Sequence, residues 1–375
     1  MIYLDNAATS YPKPPLVRRA AAKAPSLYGN PGRGGHRLSL AAAEMVYDCR
    51  VAITELFHLE KPECVVFTAG ATMALNLAIF TRVRRGMHIL ISDREHNAVL
   101  RPIYRLAREG IATYDIYPTG GDVEGGIRKR IRPNTGMLIA CHVSNVTSFC
   151  LPIERIGTLC RERGIYFIVD AAQSAGHLPL DLARIPYDAF CAPAHKGLLG
   201  IPGAGFAILR QAEALTPFLL GGSGVDSRLP DMPAELPERY EAGTLPTAGI
   251  AALLGGVRTL QRIGVEAVAE KEAKLQEEVL AGLSVIKGIR LYEPECRGSL
   301  IAFTHALHTS DAIARALDRE GICTRAGYHC APLAHRTIGT PPSGCVRLSF
   351  GYGNSPGDAK RFLGTLQKLL REGCL

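Results

Sequence analysis

The stretch that decides the fold runs from residue 137 to residue 170 and reads MLIACHVSNVTSFCLPIERIGTLCRERGIYFIVD. It predicts a strand over 137–144, a helix over 152–164 and a second strand over 166–170. Both strands are continuous apolar runs, which is typical of strands whose two faces are covered. Such a strand–helix–strand unit places its two strands parallel in one sheet. The stretch therefore predicts an α/β protein with a mostly parallel sheet.

The same alternation continues on both sides of this stretch, from about residue 64 to residue 210. Its further elements are apolar strands at 64–68, 87–92, 113–117 and 189–194 and helices at 71–83 and 96–109. A Gly- and Pro-rich segment at 221–246 follows, and a second block begins near residue 245. The elements of that α+β block are helices at about 248–262, 265–283, 310–320 and 356–371 and strands at 289–293, 299–304 and 345–350.

The composition excludes several classes of protein. The chain has 375 residues, of which 47% are hydrophobic and 21% charged, so it is too apolar for a disordered protein and long enough for two domains. No apolar run approaches the roughly 20 residues that span a bilayer. The first residues carry neither the basic nor the apolar part of a signal peptide. We therefore expect a cytoplasmic protein that does not enter membranes.

The formal net charge of +8 does not by itself indicate nucleic acid. The densest cationic stretch, at 128–132, falls on a predicted helix end, and aromatic residues are only 6% of the chain with no Trp. Proteins that bind single-stranded nucleic acid interleave basic and aromatic side chains. We predict a solvated helix face here, no nucleic-acid partner, and an excess of cations that suits small anionic ligands.

The cysteines are numerous but scattered. There are eleven, an odd number, and no two stand in a CxxC pair, which argues against a disulfide framework or a zinc site. Most lie in apolar strands, as Cys64 and Cys141 do, and are predicted to be small core residues. Cys374, beside the C-terminus, is expected to be a passive exposed thiol, with sulfur relay as the alternative. We expect no metal.

Polar residues follow the predicted strands at the edge where open α/β sheets bind ligands. Residues 68–72, Thr-Ala-Gly-Ala-Thr, open a helix, and such a turn either binds a phosphate or simply caps the helix. Asp170 ends a buried strand and needs a cationic partner. Lys196 follows another apolar run, and burial would lower its pKa and free its amine to attack a carbonyl. With His96 as a ring-stacking group, this is the set that pyridoxal phosphate requires.

Eight motifs stand in order along nearly the whole chain. They are Tyr3-Leu4-Asp5-Asn6-Ala7-Ala8-Thr9, Asn30-Pro31-Gly32, Glu95-His96, His142-Val143-Ser144-Asn145, Asp170-Ala171-Ala172-Gln173, His195-Lys196, Glu241-Ala242-Gly243-Thr244 and Arg325-Ala326-Gly327-Tyr328-His329-Cys330-Ala331. In this order they resemble the cysteine desulfurases of the class V aminotransferase fold. The last motif is similar to the subgroup that contains the SUF-type desulfurases and the selenocysteine lyases.

The resemblance implies a pyridoxal-phosphate enzyme of fold type I. A large domain over 16–245 would carry a mostly parallel sheet of seven strands, and residues 1–15 and 246–375 would form a smaller α+β domain. In this family Thr244 reaches the phosphate of the partner subunit. The resemblance therefore also implies a homodimer with active sites at the subunit interface.

Position by position, the resemblance implies a role for each residue around the cofactor. Lys196 would bind the cofactor as a Schiff-base lysine and later take the Cα proton. Asp170 would keep the ring nitrogen protonated, Gln173 would contact the ring hydroxyl, and His96 would stack on the ring. The phosphate ligands implied by the resemblance are Thr72, the N–H of Ala71, His195 and the partner's Thr244.

On the substrate side, the resemblance implies that Arg347 pairs with the carboxylate of L-cysteine or L-selenocysteine, a task that suits a planar guanidinium. Asn6 and Asn145 would line the same side. Cys330 would be the nucleophile: it would take the substrate sulfur as a persulfide and leave L-alanine. The persulfide would then serve iron–sulfur cluster assembly or other sulfur metabolism, through an acceptor protein or a small thiol.

Two positions depart from the family. Pro193 stands where relatives carry a hydroxyl for the phosphate, and Tyr328 replaces a histidine of the SUF-type enzymes. The main expectation is a cysteine desulfurase. The alternatives are a selenocysteine lyase or another enzyme of this fold, and a subunit that has lost turnover. Cys330 argues against an aminotransferase or epimerase, and the intact Lys196 and Asp170 argue against a lost activity.

Overall fold

A computed structural model describes residues 1–32, 34–210, 215–225 and 228–373. Its helices are α1 (Pro15–Leu27), α2 (Arg37–Leu56), α3 (Ala71–Arg82), α4 (Asn97–Arg108), α5 (Val123–Arg128), α6 (Ile153–Glu162), α7 (Thr247–Ile263), α8 (Val265–Ser284), α9 (Ser310–Arg319), α10 (Pro332–Ile338) and α11 (Pro356–Glu372). Its strands are β1 (Ile2–Tyr3), β2 (Val65–Thr68), β3 (Met87–Ser92), β4 (Ala112–Tyr117), β5 (Thr135–Cys141), β6 (Tyr166–Asp170), β7 (Ala189–Pro193), β8 (Gly205–Leu209), β9 (Ile289–Tyr292), β10 (Leu300–His305), β11 (Ile322–Cys323), β12 (Arg325–Gly327) and β13 (Cys345–Ser349). Every element predicted from residue 64 onward is present, with ends shifted by a few residues.

Seven strands form the central sheet in the order β2-β8-β7-β6-β5-β3-β4. All neighbours are parallel except β8, which runs antiparallel to both β7 and β2. The connection from β7 to β8 holds no helix, and only antiparallel neighbours can be joined without a crossover. The predicted α/β class with a mostly parallel sheet is confirmed. The carboxyl ends of β5, β6 and β7 lie side by side, because Asp170 is in register with both Cys141 and Cys191.

The inner strands of the sheet are buried on both faces, which explains their continuous apolar sequences. Along β6, Phe167 and Val169 pack into one core and Ile168 packs into the other, as the two-residue period of a strand requires. Helices α1, α2, α6 and α7 cover the first face, and α3 and α4 cover the second. Each large apolar side chain buried this way contributes about 1.5–3 kcal/mol to stability.

A smaller unit carries an antiparallel sheet of four strands in the order β12-β13-β10-β9. Its core contains Phe303, Val346 and Phe362 and is covered by α8, α9 and α11. The N-terminus joins this unit, since β1 pairs with β11 and Ile2 lies opposite Ile322. The segment that follows it therefore runs from the small unit toward the edge of the large sheet.

The division into 16–245 and 1–15 with 246–375 stays a prediction. One observation bears on its boundary: Ile250, Leu253 and Leu260 of α7 pack in the core of the large unit. Helix α8 instead places Leu275 and Val279 in the core of the small unit. This packing argues for a boundary after α7 rather than near residue 245.

Four elements of the large unit, α1, α2, α5 and β8, have no counterpart in the sequence predictions. Helix α2 carries a readable signal, because its buried residues Ala42, Met45, Cys49 and Ile53 recur at helical spacing. In the parts of the chain that the structure describes, no helix combines the length and the apolar character that a bilayer crossing requires.

Candidate active site

A cavity of about 760 Å³ opens beyond the carboxyl ends of β5, β6 and β7. The predicted site residues that line it are Ala71, Thr72, His96, Asn145, Asp170, Gln173, His195, Lys196, Cys330 and Arg347. They come from both units, so the cavity lies between the large sheet and the small unit. Parallel topology explains part of this grouping, because it brings all strand carboxyl ends to one edge.

The N-terminus of α3 forms one wall of the cavity. Gly70 precedes the helix with φ of +150°, and no side chain caps the first turn. A Cβ at Gly205 would lie 2.6 Å from the Cα of Gly70, so β8 can approach this turn closely only because position 205 is glycine. The free N–H groups of the first turn and the positive end of the helix dipole suit a bound anion.

Lys196 and Asp170 form an electrostatic pair on the cavity floor. Asp170 is 3% exposed, and Oδ1 accepts a hydrogen bond from the N–H of Ala172 at 2.9 Å. Burial raises the pKa of Asp170, while the Ala172 N–H and Lys196 oppose that shift. Burial lowers the pKa of Lys196 to about 8, against the attraction of Asp170. Near neutral pH a far larger share of this amine is therefore neutral than at the ordinary lysine pKa, and the neutral amine can attack a carbonyl.

His96 has its tautomer set by the backbone. It is the N-cap of α4, and Nδ1 accepts a hydrogen bond from the N–H of Ala98 at 3.0 Å. Burial, with the charges of Lys196 and Arg325, lowers the pKa of His96 to about 4. The ring is therefore neutral at physiological pH and carries its proton on Nε2.

His195 is held by the N-terminal segment. Its carbonyl oxygen accepts hydrogen bonds from the N–H of Ser10 at 3.0 Å and from Nζ of Lys13 at 2.8 Å. Its Nδ1 is buried and has no partner in the described structure. Gln173 is tied to the same segment, because Nε2 donates to the carbonyl of Ala7 at 2.9 Å. The segment from the small unit thus positions two residues predicted to contact the cofactor.

Arg347 is almost completely buried, at 1% exposure. Its Nη1 donates to the carbonyl of Asn145 at 2.9 Å, and Nη2 forms an ion pair with Asp5 at 2.7 Å. Nε of Arg347 and Oδ1 of Asn145 are buried without a partner among the described groups. The guanidinium is thus held in place while it keeps N–H groups free for a carboxylate.

Cys330 is exposed and lies on a loop in an unusual conformation. His329 and Cys330 have φ of +51° and +56°, a region that residues with a Cβ rarely adopt. Two hydrogen bonds hold the loop. Nδ2 of Asn145 donates to the carbonyl oxygen of His329 at 2.7 Å. The N–H of Asn97 donates to the carbonyl oxygen of Cys330 at 2.8 Å. The large unit therefore fixes the position of the thiol.

Behind Cys330 lies a buried group of His329, His335 and Cys345. Nδ1 of His329 is 3.2 Å from Nε2 of His335, and the two rings stack. The group has ligand spacing for a metal. However, burial lowers the pKa of both rings, and the nearby guanidinium of Arg347 lowers it further. Such a charge opposes a cation. The distances fit a hydrogen-bonded support for the Cys330 loop.

Two predicted residues do not line the cavity. Nδ2 of Asn6 donates to the carbonyl of Ser349 at 3.0 Å, and Oδ1 accepts from the N–H of Tyr11 at 3.1 Å, so this amide anchors the N-terminal segment. Thr244 lines a second cavity of about 970 Å³ instead. Of the departures, Pro193 lines the main cavity and Tyr328 is exposed beside the loop. Cys374 lies outside the described residues.

The sequence predictions missed several residues that support the site. Asp5 pairs with Arg347, and Asn97, Lys13 and His335 hold the loops described above. Asp5 and Asn97 stand in or directly beside motifs that were recognised, which is the only signal the sequence offers for them. Their partners lie hundreds of residues away, and such contacts have no local pattern.

The comparisons with known proteins agree with this geometry. The aminotransferase class-V family model matches residues 2–362. Two relatives carry the name probable cysteine desulfurase. The one from Methanothermobacter thermautotrophicus is 30% identical to this chain, and the one from Aeropyrum pernix is 32% identical. Each alignment covers 99% of this chain, with 95% and 94% of the relative.

Solved structures show the same likeness. A cysteine desulfurase from Thermococcus onnurineus, solved in its apo form, superposes with a TM-score of 0.91 at 29% identity, covering 99% of this chain and 95% of that one. The cysteine desulfurase CsdA from Escherichia coli superposes with a TM-score of 0.87 at 26% identity, covering 98% and 94%. These chains share the whole architecture, small unit included.

Proposed function

The chain belongs to the class-V aminotransferase family, and from that premise we propose that it is a pyridoxal-phosphate-dependent cysteine desulfurase. It converts L-cysteine to L-alanine and keeps the sulfur as a persulfide on Cys330. One observation carries the proposal: a lysine with a lowered pKa, a buried aspartate and an exposed cysteine share one cavity. The cysteine distinguishes a desulfurase from an aminotransferase, which has no use for a nucleophile there.

The residues of the cavity fit pyridoxal phosphate. Asp170 is a buried carboxylate that gains a cationic partner from a protonated ring nitrogen, and the uncapped turn of α3 offers N–H groups to the phosphate. Nδ1 of His195 is a buried polar atom that still needs a partner. We propose that Ala71, Thr72 and His195 hold the phosphate, that Gln173 and His96 contact the ring, and that Lys196 binds the carbonyl carbon.

When bound, pyridoxal phosphate supplies an electron-withdrawing ring that stabilises negative charge on the Cα of an amino acid. The free amine of Lys196 would take the Cα proton, because its lowered pKa of about 8 leaves part of it neutral near neutral pH. Asp170, a buried carboxylate on the cavity wall, would hold the ring nitrogen in its protonated form. His96 presents its Nε2 proton for donation on the substrate side.

The substrate is oriented by its carboxylate. Arg347 keeps free N–H groups for it, and the ion pair with Asp5 keeps the guanidinium in place. Sγ of Cys330, as thiolate, then bonds to the substrate sulfur. The Cβ–S bond breaks and its electron pair stays on carbon. Protonation of Cβ, and return of the proton that Lys196 took to Cα, then yield alanine. No external oxidant or reductant enters this step.

The homodimer is part of the same proposal. Thr244 lies away from the main cavity of its own chain, so its proposed phosphate ligand belongs to a second copy. Apolar side chains that are exposed in the single chain support an interface near this point: Leu220 is 67% exposed and Leu229 is 51% exposed. A surface of this kind is typical of subunit contacts.

The first experiment is an absorbance scan of the purified protein, followed by L-cysteine with dithiothreitol. We expect a visible band from lysine-bound cofactor, and alanine and sulfide in equal amounts. Lys196→Ala should lose the band after reduction and dialysis. Cys330→Ser should keep the band and lose alanine formation from cysteine, while Cys150→Ser, which removes another exposed thiol, should change neither.

Two results would overturn the assignment. Products from L-selenocysteine but none from L-cysteine would indicate a selenocysteine lyase. Wild-type alanine formation by Cys330→Ser would show that this thiol does not accept the sulfur.

A further inference from the structure

A groove lies on the surface between helices α4 and α10, the two helices that flank the Cys330 loop. Both helices begin at this loop: the N–H of Asn97 at the start of α4 donates to the carbonyl of Cys330, and α10 begins two residues after the cysteine. At 1.5 Å per residue, α4 extends about 16 Å from that point. The residues that define this α4–α10 groove are Leu100, Arg101, Tyr104, Arg105, Arg108, Tyr114, Ile116, Leu333 and Arg336.

The groove is strongly cationic. Arg101, Arg105 and Arg108 recur at helical spacing on one exposed face of α4, and Arg336 of α10 faces the same groove. Only Arg105 has an ion-pair partner within the described residues, Glu109, at 2.8 Å. Four guanidinium groups thus have a single carboxylate among their ion-pair partners in the described structure, and the uncompensated positive charge favours an acidic partner.

The groove also has the apolar character of a protein-binding surface. Its volume is about 500 Å³, and Leu100, Tyr114 and Leu333 contribute to its lining. Tyr104 projects beside the arginines and is 57% exposed. Arginine and tyrosine are the side chains that most often dominate binding energy at protein interfaces.

We propose that the α4–α10 groove docks an acidic face of a sulfur-acceptor protein and so brings its thiol to Cys330. This inference rests on the proposed function. Two features favour a protein over a nucleic acid. The groove has an apolar lining, and the two helices that line it begin at the loop of Cys330, whose thiol must pass sulfur to another thiol. Single-stranded nucleic acid would need bases stacked on a series of aromatic rings, and the groove exposes one prominent ring.

The transfer itself balances without a co-reactant. The acceptor thiolate attacks the terminal sulfur of the Cys330 persulfide and forms a new S–S bond. The bond between that sulfur and Sγ of Cys330 breaks, and Cys330 leaves as a thiolate. The acceptor then carries the persulfide, and the enzyme is ready for another substrate.

The test uses two labelled peptides as probes, each with one cysteine: one rich in Asp and Glu, the other with Asn and Gln in their place. Fluorescence anisotropy measures binding to the holoenzyme, and mass spectrometry measures sulfur transfer after L-cysteine loads Cys330. We expect the acidic peptide to bind and to accept sulfur faster, on the order of tenfold at low salt, with the difference lost at high salt.

The matched variants reverse three charges at a time. Arg105→Glu, Arg108→Glu and Arg336→Glu together should abolish the preference for the acidic peptide. Lys360→Glu, Arg361→Glu and Lys368→Glu on α11 should preserve it. Both should retain turnover with dithiothreitol, which needs no docking. Tyr104→Ala changes no charge. It should weaken binding of the acidic peptide and leave the salt dependence of that binding in place.

Equal binding and transfer of the two peptides would overturn the proposal. A second result would also overturn it. In that result a single-stranded oligonucleotide binds the groove, and charge reversal abolishes this binding but leaves sulfur transfer to the peptide unchanged. If L-cysteine fails to load Cys330, the proposed function fails, while the anisotropy measurement still decides whether the groove binds the acidic peptide.

Discussion

Nη2 of Arg347 lies 2.7 Å from Oδ1 of Asp5, although 342 residues separate them in the chain. The side chain of Arg347 is 2% exposed, so its charge depends on this carboxylate for compensation. The pair connects the N-terminal segment to β13. It therefore links the stability of the small unit to the position of the group proposed to bind the substrate carboxylate.

The first prediction concerns this pair. Asp5→Asn should lower the free energy of unfolding by up to about 3 kcal/mol, because it leaves a buried guanidinium without its counter-ion. The KM for L-cysteine should rise more than kcat falls, because Arg347 loses its fixed orientation. Urea denaturation and steady-state kinetics measure the two effects. Asp311→Asn, at an exposed position, is the control, and equal results for the two variants would contradict the prediction.

The second prediction concerns pH. Because burial lowers the pKa of Lys196 to about 8, its neutral fraction rises as the pH passes through that value. The rate at which pyridoxal phosphate recombines with cofactor-free protein should rise with pH and level off above it. Asp170 opposes the shift, so Asp170→Asn should move the inflection to lower pH. An inflection at the ordinary lysine pKa near 10.4 would refute this reading of the site.

The third prediction concerns the loop that carries Cys330. His335→Ala removes the nearer partner of buried Nδ1 of His329 and leaves only the Cys345 thiol at 4.0 Å. A poorly paired buried polar atom costs up to about 1–3 kcal/mol. Because the strained loop then loses support, alanine formation should fall roughly tenfold through a misplaced thiol. The cofactor absorbance should stay unchanged, and the alkylation rate of Cys330 should change. His308→Ala is the control; a lost cofactor band would instead point to general unfolding.

The fourth prediction tests the shared site. If Thr244 serves the partner's phosphate, Thr244→Ala should weaken cofactor binding in the homodimer. Lys196→Ala should abolish activity. A mixed dimer contains one subunit of each variant. Its site in the Thr244→Ala subunit has an intact Lys196 and receives an intact Thr244 from the partner. The activity of mixed dimers should therefore approach that of a dimer with one working site. No recovery on mixing, with dimer formation shown by native mass spectrometry, would place Thr244 in its own subunit's site or in none.

The sequence is sufficient for much of the fold and for the composition of the cavity. Continuous apolar strands such as 166–170 can be read because burial on both faces requires them. Asp170 and Lys196 can be placed at one edge because parallel strands share their carboxyl ends. Asn6 shows the limit of this reasoning: it stands in a recognised motif, yet its amide is hydrogen-bonded within the protein.

The sequence by itself determined the α/β class, the family motifs and the nucleophile candidate, since these depend on local periodicity and residue type. Tertiary structure alone decided that α7 packs on the large unit, that Asp5 neutralises Arg347 and that arginines of α4 and α10 share one groove. The physical reason is that burial, ion pairing and summed charge depend on which distant segments meet. Local pattern specifies the elements, and only packing specifies their contacts.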